Sequence, residues 1–272
     1  MRAARSTPLP CRASPGISAA VARPAPRAYD GAVGTLWTAA LDLLYPPVCC
    51  GCGSPTEGPG FCQGCRVRIT LVRPPLCPVC GVPFPTPTAS DHACSRCLVH
   101  PPRYDRARAC AVYDTTRSTP DPLKSALQRF KYDRDVSLAP VLADLMAAHA
   151  PLLADDYDVV MPVPLHKQRL RWRGFNQALL LARPLVGRVR VDPFTLRRQR
   201  ATASQVGLSE ADRQRNVRDA FTVDRPERVA RRSILLVDDV YTTGATADAC
   251  AGALLDAGAS RVDVLVLARA IR

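Results

Sequence analysis

Residues 234 to 246 read Ile234-Leu235-Leu236-Val237-Asp238-Asp239-Val240-Tyr241-Thr242-Thr243-Gly244-Ala245-Thr246. The leucine and β-branched run from Ser233 to Val237 marks a strand buried on both faces, as in the centre of a parallel sheet. Two carboxylates follow at its C-terminal edge, where open α/β sheets bind ligands. The turn then supplies threonine hydroxyls and backbone N–H groups, and Gly244 permits close approach. A helix opening near Thr246 offers its N-terminal amides and positive dipole end to a phosphate. Paired carboxylates suit vicinal sugar hydroxyls, and an amide cradle suits a terminal phosphate, so the segment reads as a ribose 5-phosphate site. It is not a Walker loop, because no Gly-Lys-Ser/Thr follows the glycine. A receiver domain also opens on a strand ending in Asp-Asp, but it needs far more chain than the 33 residues that follow Asp239.

Outward from this strand, periodicity predicts strands at Arg106 to Tyr113, Tyr157 to Val163 and Arg261 to Ala268. Helices are expected at Asp121 to Phe130, from Ser137 onward, from Gly174 to about Arg183, and from Thr246 to Ala257, with Gly258 as the last one's stop. The helix from Ser137 carries Leu138, Val141, Leu142, Leu145 and Met146 on one face. This alternation specifies an α/β fold with an open, mostly parallel sheet over residues 103–272. The connection from Val191 to Arg232 is polar and basic, and a loop of that length is usually functional or has local structure of its own.

Residues 36–102 have a different texture. A short amphipathic helix over 36–45 stops at Pro46-Pro47, and the Cys, Pro and Gly-rich segment after it cannot build a core without a staple. Cys49-x-x-Cys52 is separated by nine residues from Cys62-x-x-Cys65, and Cys77-x-x-Cys80 by thirteen from Cys94-x-x-Cys97. Paired Cys-x-x-Cys at these separations predicts two structural Cys₄ zinc ribbons. Interleaved pairing, a single occupied site or an iron–sulfur cluster are the alternatives. Cys50 could substitute for Cys49, whereas Cys11, Cys110 and Cys250 read as tail or core residues.

The chain has 272 residues and a formal net charge of +13. Thirteen Lys or Arg against three Asp or Glu between His166 and Arg218 point to an anionic ligand, either phosphates or nucleic acid. Residues 1–35 read as a disordered, basic Pro/Ala-rich extension. No apolar run approaches the length of a membrane helix, so no membrane insertion is expected, and the cysteine usage fits a reducing, cytoplasmic location.

Five further stretches accompany the first: Cys77-Pro-Val-Cys-Gly81, Met161-Pro-Val-Pro-Leu-His166, Arg173-Gly-Phe-Asn-Gln177, Gln205-Val-Gly-Leu-Ser209 and Arg215-Asn-Val-Arg-Asp-Ala-Phe221. In this order they make the chain from about Leu36 onward resemble the ComF family of bacterial competence-associated proteins. Segment 234–246 is similar to the phosphoribosyl pyrophosphate (PRPP) signature of type I phosphoribosyltransferases. The resemblance implies a type I phosphoribosyltransferase-like sheet behind the zinc-ribbon module. It implies ribose hydroxyls on Asp238 and Asp239, and the 5-phosphate on Thr242, Thr243, Gly244, Ala245 and Thr246. It further implies a pyrophosphate loop over 162–169, with Val163, Pro164, Lys167 and Arg169, and a cis or strained peptide near Val163-Pro164. A mobile hood would span Arg197 to Phe221 and include Gln205 and Asn216. The reaction implied is magnesium-dependent displacement of pyrophosphate by an unnamed acceptor, with no catalytic residue assigned. Thr242 stands where several purine-using members carry Asp, which argues against an acid-assisted purine substrate. The resemblance also suggests an accessory that handles single-stranded DNA with competence proteins, or a PRPP sensor without turnover.

Overall fold

The computed structural model describes residues 46–86, 90–116, 119–150, 157–186, 189–200 and 219–271. The N-terminal extension and the 36–45 helix lie outside these. Within them, α1 (Gln63–Arg66), β1 (Thr70–Leu71) and α2 (Ser95–Val99) belong to the cysteine-rich segment. There follow β2 (Arg106–Asp114), α3 (Pro122–Gln128), α4 (Ala139–His149), β3 (Val159–Pro162), α5 (Lys167–Arg173), α6 (Gln177–Leu181) and β4 (Arg190–Val191). The chain continues with β5 (Leu196–Arg198), β6 (Phe221–Val223), β7 (Ser233–Tyr241), α7 (Ala245–Asp256) and β8 (Arg261–Ile271).

The main sheet has the order β1-β2-β8-β7-β3-β4. Only the β1–β2 pair is antiparallel; β2–β8, β8–β7, β7–β3 and β3–β4 are parallel. The expected α/β class with a mostly parallel sheet is therefore the observed one. Both faces of the central strands are covered, and side-chain alternation divides them between two cores. Leu235 and Val237 of β7 and Leu265 and Leu267 of β8 pack with α3, α4 and α6. Ile234 and Leu236 of β7 and Val262, Val264 and Val266 of β8 pack with α7. Each core also takes in cysteines of the N-terminal segment: Cys49, Cys50 and Cys65 on the first face, Cys77, Cys80 and Cys97 on the second.

Three local expectations are revised. Gly174 was expected to open a helix, but it closes α5. Its φ of 86° is the left-handed conformation that a residue without Cβ adopts at little cost. The next helix instead starts at Asn176, whose Oδ1 accepts the N–H groups of Ala178 (3.0 Å) and Leu179 (3.5 Å). The strand carrying the carboxylates runs on to Tyr241, because β8 pairs with it as far as Tyr241↔Arg269. Among the described residues the cis peptide is Pro74–Pro75, not Val163–Pro164.

Candidate functional site

The site forms where β7 ends. Adjacent strand residues point to opposite faces, so Asp239 projects toward the α3 side and Asp238 toward α7. Asp239 is buried and meets Lys131 Nζ at 2.8 Å. Lys131 is delivered by local structure that can be traced residue by residue. Asp121 caps α3 by accepting the N–H groups of Leu123 (2.9 Å) and Lys124 (3.0 Å). The helix then widens into a π turn, Arg129–Asp133, of the kind often found at functional sites. Phe130 anchors that turn in the core, against the ring of Phe175 at 5.3 Å. Lys131 then reaches the strand edge.

Asp238 accepts the Asp239 N–H at 2.9 Å. Burial, and then the neighbouring Asp239, push its carboxyl up to about 7, partly offset by Lys131, that backbone N–H and Arg198. The positive charge of Arg198, on β5, is the smallest of these influences on Asp238, whereas Lys131 is in direct ion-pair contact with Asp239. Arg198 lies over the ring of Phe221 at 5.3 Å. The antiparallel pair β5–β6 forms the base of the expected hood. The remainder of that hood, 201–218 with Gln205, Arg215 and Asn216, lies outside the described residues.

Thr242, Thr243 and Gly244 turn the chain from β7 into α7. Gly244 has φ 80° and caps α7 without a side chain, and Thr243 Oγ1 accepts the Ala245 N–H at 3.4 Å. Ala245 and Thr246 form the first turn of α7, at its positive dipole end. A cleft of about 800 Å³ opens beside this turn, lined among others by Thr243, Ala245, Asp248, Tyr104 and Phe221.

The β3 end adjoins the same edge: the Val163 N–H donates to Val237 O at 2.9 Å. Val163 and Pro164 are buried there. Lys167 is exposed and Arg169 half-buried in the first turn of α5, which occupies what was expected to be the far end of a loop. Stretch 173–177 ties α5 to α6 and to the end of β3. Arg173 donates to Gln177 Oε1 at 2.6 Å, Gly174 turns, Phe175 packs on Phe130, and Asn176 Nδ2 donates to Val163 O at 3.0 Å. Arg173 is buried, which lowers its pKa, while Asp239 and Asp238 oppose that shift.

The eight expected zinc ligands form two groups, Cys49/Cys52/Cys62/Cys65 and Cys77/Cys80/Cys94/Cys97, with the four sulfurs of each within 4.8 Å of one another. Interleaved pairing is thereby excluded. Zn–S bonds of about 2.3 Å in a tetrahedron place sulfurs about 3.8 Å apart; Cys52–Cys62 is 3.8 Å and Cys80–Cys94 is 3.7 Å. Burial opposes ionisation of Cys49 and Cys77, yet backbone N–H groups hold both thiols down at about 6. Donor type and spacing fit structural zinc. Cys50 is buried in the core rather than in the first group, and Cys110 and Cys250 are core residues.

Sequence reasoning missed Lys131, Tyr241 and Arg269. For Lys131 a faint signal existed, since it is one of three lysines in a chain that otherwise uses arginine.

A family model described as a double zinc ribbon domain matches residues 40–98. The DNA utilization protein YhgH of Escherichia coli K12 is 35% identical over 232 residues, covering 78% of this chain and 98% of that protein. Competence protein F of Haemophilus influenzae is 33% identical over 223 residues, covering 78% and 91%. A purine phosphoribosyltransferase structure from Pyrococcus horikoshii aligns at 16% identity with a TM-score of 0.27, covering 51% of this chain and 75% of that one. Among the described residues no helix is long and apolar enough to cross a membrane.

Proposed function

Because this chain belongs to the ComF family, we propose that it binds PRPP or a related ribose 5-phosphate ligand at the β7 edge, as a phosphoribosyltransferase-type site. The observation that carries this reading is the continuity of Asp238, Asp239 and the 242–246 turn at one sheet edge, with α7 starting directly behind. Asp238 and Asp239 would accept the ribose hydroxyls, and Thr242, Thr243, Gly244, Ala245 and Thr246 would cradle the 5-phosphate. Lys131 would hold Asp239 in place. Val163 and Pro164 would bound the pyrophosphate subsite. Charge on a leaving pyrophosphate would be shared between Lys167, Arg169 and a magnesium ion carried in by the ligand. The acceptor carries no name, and a sensor that binds without turnover uses the same contacts.

Calorimetry with PRPP and magnesium tests the reading. Wild type is expected to bind, and Asp239→Asn to bind at least about tenfold more weakly, since a charge-assisted hydrogen bond is worth about 1.5–3 kcal/mol. Absence of binding in wild type would sink both the transfer and the sensor readings. Release of pyrophosphate across a panel of acceptors separates the two.

The raised Asp238 carboxyl adds a pH dependence. As one of the two acceptors of the ribose hydroxyls it would act best once ionised, so affinity is expected to rise as pH increases through about 7. In the unliganded fold the sign is opposite. The folded group keeps its proton above 3.8, where the unfolded group releases it, so stability falls as pH rises toward 7. Asp238→Asn should flatten both profiles; an unchanged slope in that variant would assign the effect elsewhere.

A second reading, handling of single-stranded DNA, is favoured by one surface. Trp172 and Tyr132 are each about half exposed. The Arg134 guanidinium lies 4.9 Å from the Trp172 ring centroid and Arg173 lies 5.9 Å from that of Tyr132. Aromatic faces among cations suit stacked bases and a phosphate backbone. Arg171 is exposed whereas Arg173 is buried, so the clean variants are Arg171→Gln and Trp172→Ala. Single-strand affinity should fall steeply with salt and drop in both variants. Binding insensitive to salt would count against this role.

A further inference from the structure

The phosphate turn is supported from behind by contacts that start at the second cysteine group. Arg269 of β8 lies in register with Tyr241 of β7. It is buried, and its Nη1 donates to Cys80 O at 2.6 Å while Nη2 lies 3.7 Å from Cys80 Sγ. The same guanidinium lies 4.4 Å from the centroid of the Tyr241 ring. The Tyr241 hydroxyl shares a 2.6 Å hydrogen bond with that of Tyr104. Gly244 then rests on this ring: a Cβ there would lie 2.2 Å from Tyr241 Oη and 2.5 Å from Cζ.

A buried guanidinium needs acceptors and countercharge. Here the Cys80 carbonyl supplies the first, and Cys77, Cys80, Cys94 and Cys97, which would hold zinc as a net-negative set of four thiolates, would supply the second. The ring under the guanidinium is thus clamped between a metal-organised knuckle and the turn that would receive the phosphate. We propose that Arg269 and Tyr241 are positioning residues that make the shape of the 242–246 turn depend on the second cysteine group, Cys77, Cys80, Cys94 and Cys97. The second ribbon then acts as a brace for the phosphate half of the site, beyond its contribution to folding. The effect on ligand affinity rests on the phosphate reading above; the effect on the turn does not.

The test uses the full-length, zinc-loaded protein and Arg269→Met, with Arg269→Lys as the second variant should the first fail to fold. Arg106→Met is the control, because Arg106 is also a β-sheet arginine, paired with Asp263 at 2.9 Å, but away from the turn. Metal content, amide hydrogen exchange and affinity for PRPP with magnesium are read on each. Arg269→Met should keep both zincs, exchange faster at 242–247 than along the rest of β8 and α7, and bind PRPP about tenfold more weakly, the scale of one weakened hydrogen bond to a charged group. Arg106→Met should leave the turn and the affinity as in wild type. Wild-type exchange at 242–247 in zinc-replete Arg269→Met overturns the proposal. So does faster exchange spread evenly over β8 and α7, which would mark Arg269 as scaffold alone. If wild type binds no PRPP, the phosphate reading has failed, and exchange at the turn still decides the brace.

Discussion

Removing zinc is expected to unfold this protein well beyond its N-terminal segment. A structural Cys₄ zinc contributes about 10–16 kcal/mol of apparent free energy in small zinc modules, which matches or exceeds the ~5–15 kcal/mol net stability of a typical domain. In this fold the ligands are not confined to a detached module. Cys49 and Cys65 pack with Phe61, Leu123 and Phe130 on one face of the sheet, and Cys77, Cys80 and Cys97 pack with Tyr104, Ala107 and Val264 on the other. Losing either metal therefore opens a face of the main core. Arg129 also donates to the carbonyls of Cys49 (3.4 Å) and Cys50 (3.3 Å), which ties the first group to the turn that carries Lys131. Cys65→Ser and Cys97→Ser should each lose one zinc and lower the thermal midpoint by tens of degrees, or fail to accumulate as folded protein. A chelator in excess should do the same to wild type. A chelated protein that keeps its near-ultraviolet circular dichroism and its midpoint would show that the sheet stands without the metals.

The second large effect is at Gly244. Gly244→Ala places a methyl 2.2 Å from Tyr241 Oη and 2.5 Å from Cζ, at a backbone φ of +80°. The left-handed conformation costs a non-glycine residue about 1–3 kcal/mol. The overlap is the larger difficulty, because Tyr241 is itself fixed by Tyr104 and Arg269 and is almost wholly buried. Either the ring or the turn has to move, and the turn is the freer of the two. Gly244→Ala is therefore expected to reduce PRPP affinity by about 10- to 100-fold, the loss of one hydrogen bond to a charged group at about 1.5–3 kcal/mol, with a stability loss of about 1–3 kcal/mol or more. Tyr241→Phe in the same background removes only the hydroxyl and leaves Cζ in the way, so it should restore little. Wild-type affinity in Gly244→Ala would mean that the turn does not hold the ligand.

The central strand, the helix after it and both cysteine groups were legible along the chain because each is a local pattern. A β-branched and leucine run with carboxylates at its end, a glycine before a helix, and Cys-x-x-Cys at two spacings carry their meaning over a dozen residues or so. The helix boundaries around Gly174 were misread for a related reason. A lone glycine marks a helix end as readily as a start, and the Asn176 cap, with its tie to Val163 O, decides between them.

The chain alone thus specified an α/β sheet, its strand ending in paired carboxylates and its two cysteine groups, since short-range chemistry dictates each of these. Folding added the partners. Lys131 meets Asp239 because a π turn after α3 lifts it to the strand edge, and β5 brings the charge of Arg198 close enough to act on the Asp238 carboxyl. Arg269 meets Cys80, 189 residues away, because β8 lies between β2 and β7 and carries it between the second knuckle and Tyr241. Contacts of that range depend on strand order and on side-chain alternation across the sheet, and no local run of residues encodes either.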